Sequence, residues 1–84
     1  MLFIFPEPGI YKFWMKDMNF PIDIIWLDET YHVVYVKKNA DPKLYPETYQ
    51  SGSPAVWVIE TVAGFTDLHN VRIGDYVKVV SYLR

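Results

Sequence analysis

The chain has no cysteine, and that one absence removes disulfide stapling, thiolate catalysis and cysteine-ligated zinc or iron–sulfur centres together. Clusters of positive charge are missing as well. Eight Lys and Arg stand against ten Asp and Glu, for a net charge of −2, and no basic run exceeds Lys37-Lys38. The electrostatic footprint that holds a nucleic-acid backbone is therefore not there. Long apolar runs are lacking: Met1-Leu2-Phe3-Ile4-Phe5 has no basic lead and stops at Pro6, too short for a spanning helix or a signal peptide. The expectation for the sequence as given is a cytoplasmic chain with no membrane and no nucleic-acid partner. Only four glycines are present, and they spell neither a phosphate-binding loop nor a dinucleotide fingerprint. Ser51, Ser53 and Ser81 have no G-x-S-x-G context. His32 and His69 lie far apart with no third histidine, so no metal site and no cofactor is expected.

Apolar and aromatic residues are what the chain does have. Fifty-one per cent of it is hydrophobic and 18% aromatic, enough for a core in a single domain of 84 residues, although a domain of this size buries only about 60–65% of the surface of its unfolded chain. β-Branched and aromatic residues recur in short runs between Pro, Gly, Asn and Asp, which predicts strands. Six are predicted: Met1–Phe5, Tyr11–Met15, Ile22–Leu27, Tyr31–Lys38, Ala55–Glu60 and Tyr76–Leu83. Asp28-Glu29-Thr30 turns the third strand into the fourth. A polar loop from Asn39 to Ser53 is long for so small a domain, and this predicts the most mobile part of the chain. Val62, Phe65 and Leu68 recur every three residues, predicting one short helix over Ala63–His69 closed by Asn70. The fold class expected is mainly β: a small antiparallel β sandwich or partly open barrel with one short helix.

Several short motifs fall in one order along nearly the whole chain: Leu2 to Phe5, Phe13-Trp14-Met15-Lys16, Pro21 to Ile24, Val33-Val34, Ile59-Glu60, Ala63-Gly64 and Gly74-Asp75. In this the sequence resembles the family catalogued as domain of unknown function 192, also called uncharacterised protein family 0127. The resemblance implies an all-β sandwich with a small helical element, and it implies no activity. It also implies that relatives carry an upstream segment with a further strand before the Leu-Phe-x-Phe motif, and that some relatives are exported. A strand that has lost such a neighbour exposes an edge, so self-association is expected.

Among candidate catalytic groups Asp23 comes first, a lone carboxylate in an apolar run and on the same strand face as Ile25 and Leu27. It would tie irregular backbone by accepting hydrogen bonds, pair with Lys16, or do acid–base work. Glu60 lies before the predicted helix, where it would cap free amides; converging with Asp23, it would form a carboxylate pair assisted by Lys16. Trp14, flanked by Lys12 and Lys16, reads either as a ring packed under lysine stems or as a stacking platform. Tyr45, Tyr49 and Trp57 around the Pro-containing loop would seal the core or form an aromatic rim for a ligand. Two functions compete. One is a non-enzymatic β module binding a small molecule, glycan or protein partner; the other is a hydrolase-like enzyme using Asp23, Glu60 and Lys16. A purely structural domain is the third reading. An enzyme needs its charged groups in one pocket, whereas a module leaves them apart.

Overall fold

The structure, a computed structural model, describes residues 1–78. Its strands are β1 (Leu2–Gly9), β2 (Phe13–Trp14), β3 (Ile22–Leu27), β4 (Val33–Ala40), β5 (Thr48–Tyr49) and β6 (Ala55–Val62), followed by one helix, α1 (Phe65–Leu68). Four strands make the main sheet in the order β1-β6-β3-β4, every neighbour antiparallel, and β2 pairs with β5 in a second, two-stranded sheet. The expected architecture is thus present as two antiparallel sheets with one short helix, and the described residues close no barrel.

β3 organises the molecule. All six of its residues are buried, which an interior strand covered on both faces requires and which explains its near-continuous apolar run. Successive side chains point to opposite faces. Ile22, Ile24 and Trp26 therefore enter one core with Met15, Ala40, Tyr49, Ala55 and Val58, while Ile25 and Leu27 enter another with Val33. The β2–β5 layer covers the first core. Phe13 meets Trp26 edge-on at 6.0 Å between ring centroids, and Phe3 at 5.2 Å. The second core is covered by Phe65 of α1 together with Val71 and Val77 from the segment that follows it.

Several boundaries differ from the sequence expectation for local reasons. β4 starts at Val33 rather than Tyr31 because the turn residue Tyr31 adopts φ 66°, a left-handed conformation that interrupts the strand. Asp28 accepts from the amides of Thr30 and His32 and so braces that turn. The helix is only four residues long, but its end is as expected. Asn70 stands at φ 52°, with the Asn70 amide donating to Asp67 O and the Val71 amide to Thr66 O, a Schellman closure.

The segment from Asn39 to Ser53 is not a bare loop. It contains the end of β4, a 3-10 turn at Pro42–Leu44 and β5, and it buries Ala40, Tyr49 and Ser51. Its short, Pro-interrupted elements give no periodic signal, so the second sheet could not be read from the sequence. The predicted strand Tyr76–Leu83 lies mostly outside the described residues; its first residue, Tyr76, bridges to His32. The preceding turn, with Gly74 at φ 95°, docks on β4 through the Gly74 amide to Val33 O and the Val33 amide to Asp75 O.

Candidate functional site

Asp23 sits where three irregularities meet. Opposite it, β4 carries a bulge: Ile22 pairs with Ala40 and Ile24 with Lys37, so Lys38 and Asn39 together face one residue. Asn39 takes φ 53° there and donates its amide to Asp23 Oδ1 at 2.9 Å. The other oxygen, Oδ2, accepts from the Thr66 amide at 3.0 Å and the Thr66 hydroxyl at 2.7 Å. These bonds supply α1 with a cap from a distant strand. The N-cap position is Gly64 at φ 93°, which has no side chain to cap with. Burial by itself pushes the Asp23 carboxyl up. The amides of Asn39, Thr66 and Gly64, with the Thr66 hydroxyl, outweigh it and hold the group below its ordinary value. With 1% of its surface exposed and both oxygens engaged, this carboxylate ties the backbone of β4 to the start of α1.

The other two residues of the candidate catalytic set, Lys16 and Glu60, lie elsewhere. Lys16 does not pair with Asp23; its ammonium lies 5.7 Å from the centroid of the Trp14 ring, in the layer over the first core, whereas Asp23 points to the second. Glu60 does not cap the helix either. β6 continues to Val62, so Glu60 stands inside a strand opposite Ile24. Paired residues share a face and adjacent ones do not, which places Glu60 on the Ile24 side and Asp23 on the reverse. The two carboxylates do not converge.

Of the four aromatic candidates the structure gathers two. Tyr11, Phe13 and Met15 turn inward, so Lys12, Trp14 and Lys16 turn outward. Trp14 remains 49% exposed and Tyr45 43%, their ring centroids 5.4 Å apart and their planes tilted by 47°. Leu44 beside Tyr45 is exposed too. Tyr49 is close in the ladder, pairing with Phe13, but it faces the core. Its hydroxyl has no hydrogen-bond partner, and burial, with the Glu47 and Asp41 charges, pushes its titration up. Trp57 belongs to the other face, 5.3 Å from Tyr31. No group of three or more His, Cys, Asp or Glu residues able to hold a metal occurs among the described residues, and no described helix is long and apolar enough to cross a membrane.

A small two-sheet domain whose buried acid pins a bulge to a helix start, with a paired Trp–Tyr surface on its covering layer, is the class these features define. Residues 1–79 match the family described as Uncharacterized ACR, and the chain belongs to this family, domain of unknown function 192. Two solved structures are similar. A protein of unknown function from Novosphingobium aromaticivorans DSM 12444 is 26% identical, with a TM-score of 0.86 over 94% of this chain and 56% of its own. A proposed transcription regulator from Sinorhizobium meliloti 1021 is 29% identical, with a TM-score of 0.84 over 90% of this chain and 58% of its own. The chain thus spans a little over half the length of both. No curated protein matches.

Proposed function

We propose that the protein is a non-catalytic recognition module that binds a glycan through Trp14 and Tyr45. The observation that carries this reading is the exposure of the pair. Trp14 and Tyr45 stand half-exposed and tilted toward one another, and each forgoes part of the roughly 1.5–3 kcal/mol that full burial of a large apolar side chain brings. Such rings offer π faces to the apolar C–H face of a sugar. Lys12 and Lys16, flanking Trp14, supply donors for hydroxyl or carboxylate oxygens at the rim. A hydrolytic role lacks comparable support, because Asp23 is saturated with donors and Glu60 lies on the other side of the main sheet. Direct DNA binding, which the description of the Sinorhizobium relative brings to mind, would need a basic face, and this composition is slightly acidic.

The test is a panel of neutral and acidic oligosaccharides read by tryptophan fluorescence and by chemical shifts of the Trp14 indole. A saturable shift at Trp14, with an affinity that Tyr45→Ala weakens at least tenfold and that Trp14→Ala weakens as much by calorimetry, while the unfolding free energy changes by no more than about 0.5 kcal/mol, supports the module. Binding that survives both substitutions, or no response to any glycan on the panel, refutes it.

A further inference from the structure

A hollow of about 270 Å³ opens on the first face of the main sheet, lined by Met1, Met18, Phe20, Ile22, Glu60, Thr61 and Val62. Ile22 pairs with Val62 and Ile24 with Glu60, so β3 and β6 set its floor and one wall; Met18 and Phe20, from the crossing between β2 and β3, set the other. The walls are apolar and wet: Phe20 is 56% exposed and Val62 68%. Into this setting the fold places one carboxylate. Among the described residues no side-chain cation pairs with Glu60. The ion pair found among the described residues, Lys38 with Asp67, lies elsewhere, and the Met1 ammonium donates to the Glu60 backbone carbonyl. Burial pushes the Glu60 carboxyl up, and the nearby Met1 ammonium offsets this only in part. A carboxylate that keeps its charge at a desolvating cost on an apolar wall is a place where a cation gains more than it would in open water. The Phe20 ring, whose face attracts a cation, reinforces that sign, and Met18 is a side chain that reshapes easily around apolar groups.

We propose that this hollow is a binding site for a primary alkylammonium: its ammonium meets Glu60 and its hydrocarbon chain lies on Met18, Phe20, Ile22 and Val62. The volume sets the size. At roughly 30 Å³ for each water-sized unit it holds about nine, which suits an amine of some eight carbons. The site is independent of the Trp14–Tyr45 surface, and neither proposal stands or falls with the other.

The experiment titrates the whole chain with n-octylammonium, n-octanol and n-octanoate, each below its aggregation threshold, following the methyl resonances of Met18, Ile22 and Val62. Octylammonium should shift these saturably, octanol at least tenfold more weakly, and octanoate not at all. Glu60→Gln, with unchanged Trp26 emission as the check on folding, should reduce octylammonium to the level of octanol. The wild-type affinity should fall as the pH drops through the Glu60 titration. Equal responses to all three ligands would mean a non-selective apolar patch and overturn the proposal, as would unchanged binding by Glu60→Gln. So would methyl shifts that follow protein concentration and that no amine displaces, since a second copy would then fill the hollow.

Discussion

Replacing Asp23 by Asn probes the central strand where it holds both β4 and α1. The amide keeps one acceptor oxygen and turns the other into an NH2 donor. If the remaining oxygen serves the Asn39 amide, the NH2 confronts the Thr66 amide; if the group flips, the Asn39 amide is abandoned instead. Either way a buried backbone N–H goes unpaired, at about 1–3 kcal/mol. The bonds that survive also lose the charge that roughly doubles their strength, while the cost of burying a charge disappears, and these two changes partly cancel. We expect Asp23→Asn to destabilise by about 1–3 kcal/mol, and Asp23→Ala, which orphans three donors at once, by about 3–5 kcal/mol. Urea unfolding at pH 7, read through the fully buried Trp26, should show it: with a slope near 1 kcal/mol per molar for a chain of this size, the Asn variant shifts the midpoint down by roughly 1–3 M. A midpoint equal to the wild type would refute the anchoring role of Asp23. If the loss of a chemical step accompanied it, the enzyme would return as the better reading.

The pH dependence follows from the same bonds. The Asp23 carboxyl is held below its ordinary value of 3.8, so its contribution is fully present above that value and is lost as the pH falls through the lower, folded value. The gap between wild type and Asp23→Asn should therefore be constant near neutrality and close only in strong acid. Thr66→Val removes the hydroxyl donor but keeps the amide, and its effect should be less than additive with Asp23→Asn, because both act on Oδ2.

Glu60 carries the opposite sign: its folded carboxyl is raised above 4.5, so its contribution is most favourable below that value and is lost as the pH rises through the folded one. Glu60→Gln should accordingly melt slightly above the wild type at pH 7 and not above it in acid; a lower melting temperature at pH 7 would contradict this. The exposed Lys38–Asp67 pair should contribute little, and Lys38→Met should change stability by less than about 0.5 kcal/mol in chemical denaturation. Among the described residues β1 is an outer strand of the main sheet, with Leu2 and Ile4 exposed, while Pro6 and Pro8 deprive the rest of its edge of amide donors. We expect concentration-dependent association by light scattering that Ile4→Lys reduces, and a clean monomer at millimolar concentration would rule it out.

How much of this was legible in the residues depends on range. β3 was readable end to end, because a six-residue run with five apolar members, bounded by Pro21 and Asp28, has few other outcomes. The closure at Asn70 was readable for a similar reason, since few residues besides Gly accept the left-handed conformation that a Schellman turn needs. β5 was not, because a two-residue strand acquires its identity only from β2 across the ladder. Asp23 falls between these cases. An acid at the start of a buried strand announces that donors must exist, since its burial would otherwise be prohibitive. Sequence proximity nominated Lys16, yet the alternation of the strand sends the carboxylate to the other face, where the donors come from 16 and 43 residues further along the chain. Neither donor carries a charge, so no charge pattern could have revealed them. The missing side chain at Gly64 and the surplus residue at Asn39 are each minor irregularities alone; together they leave amides unpaired within reach of one carboxylate, and Asp23 is what makes both tolerable.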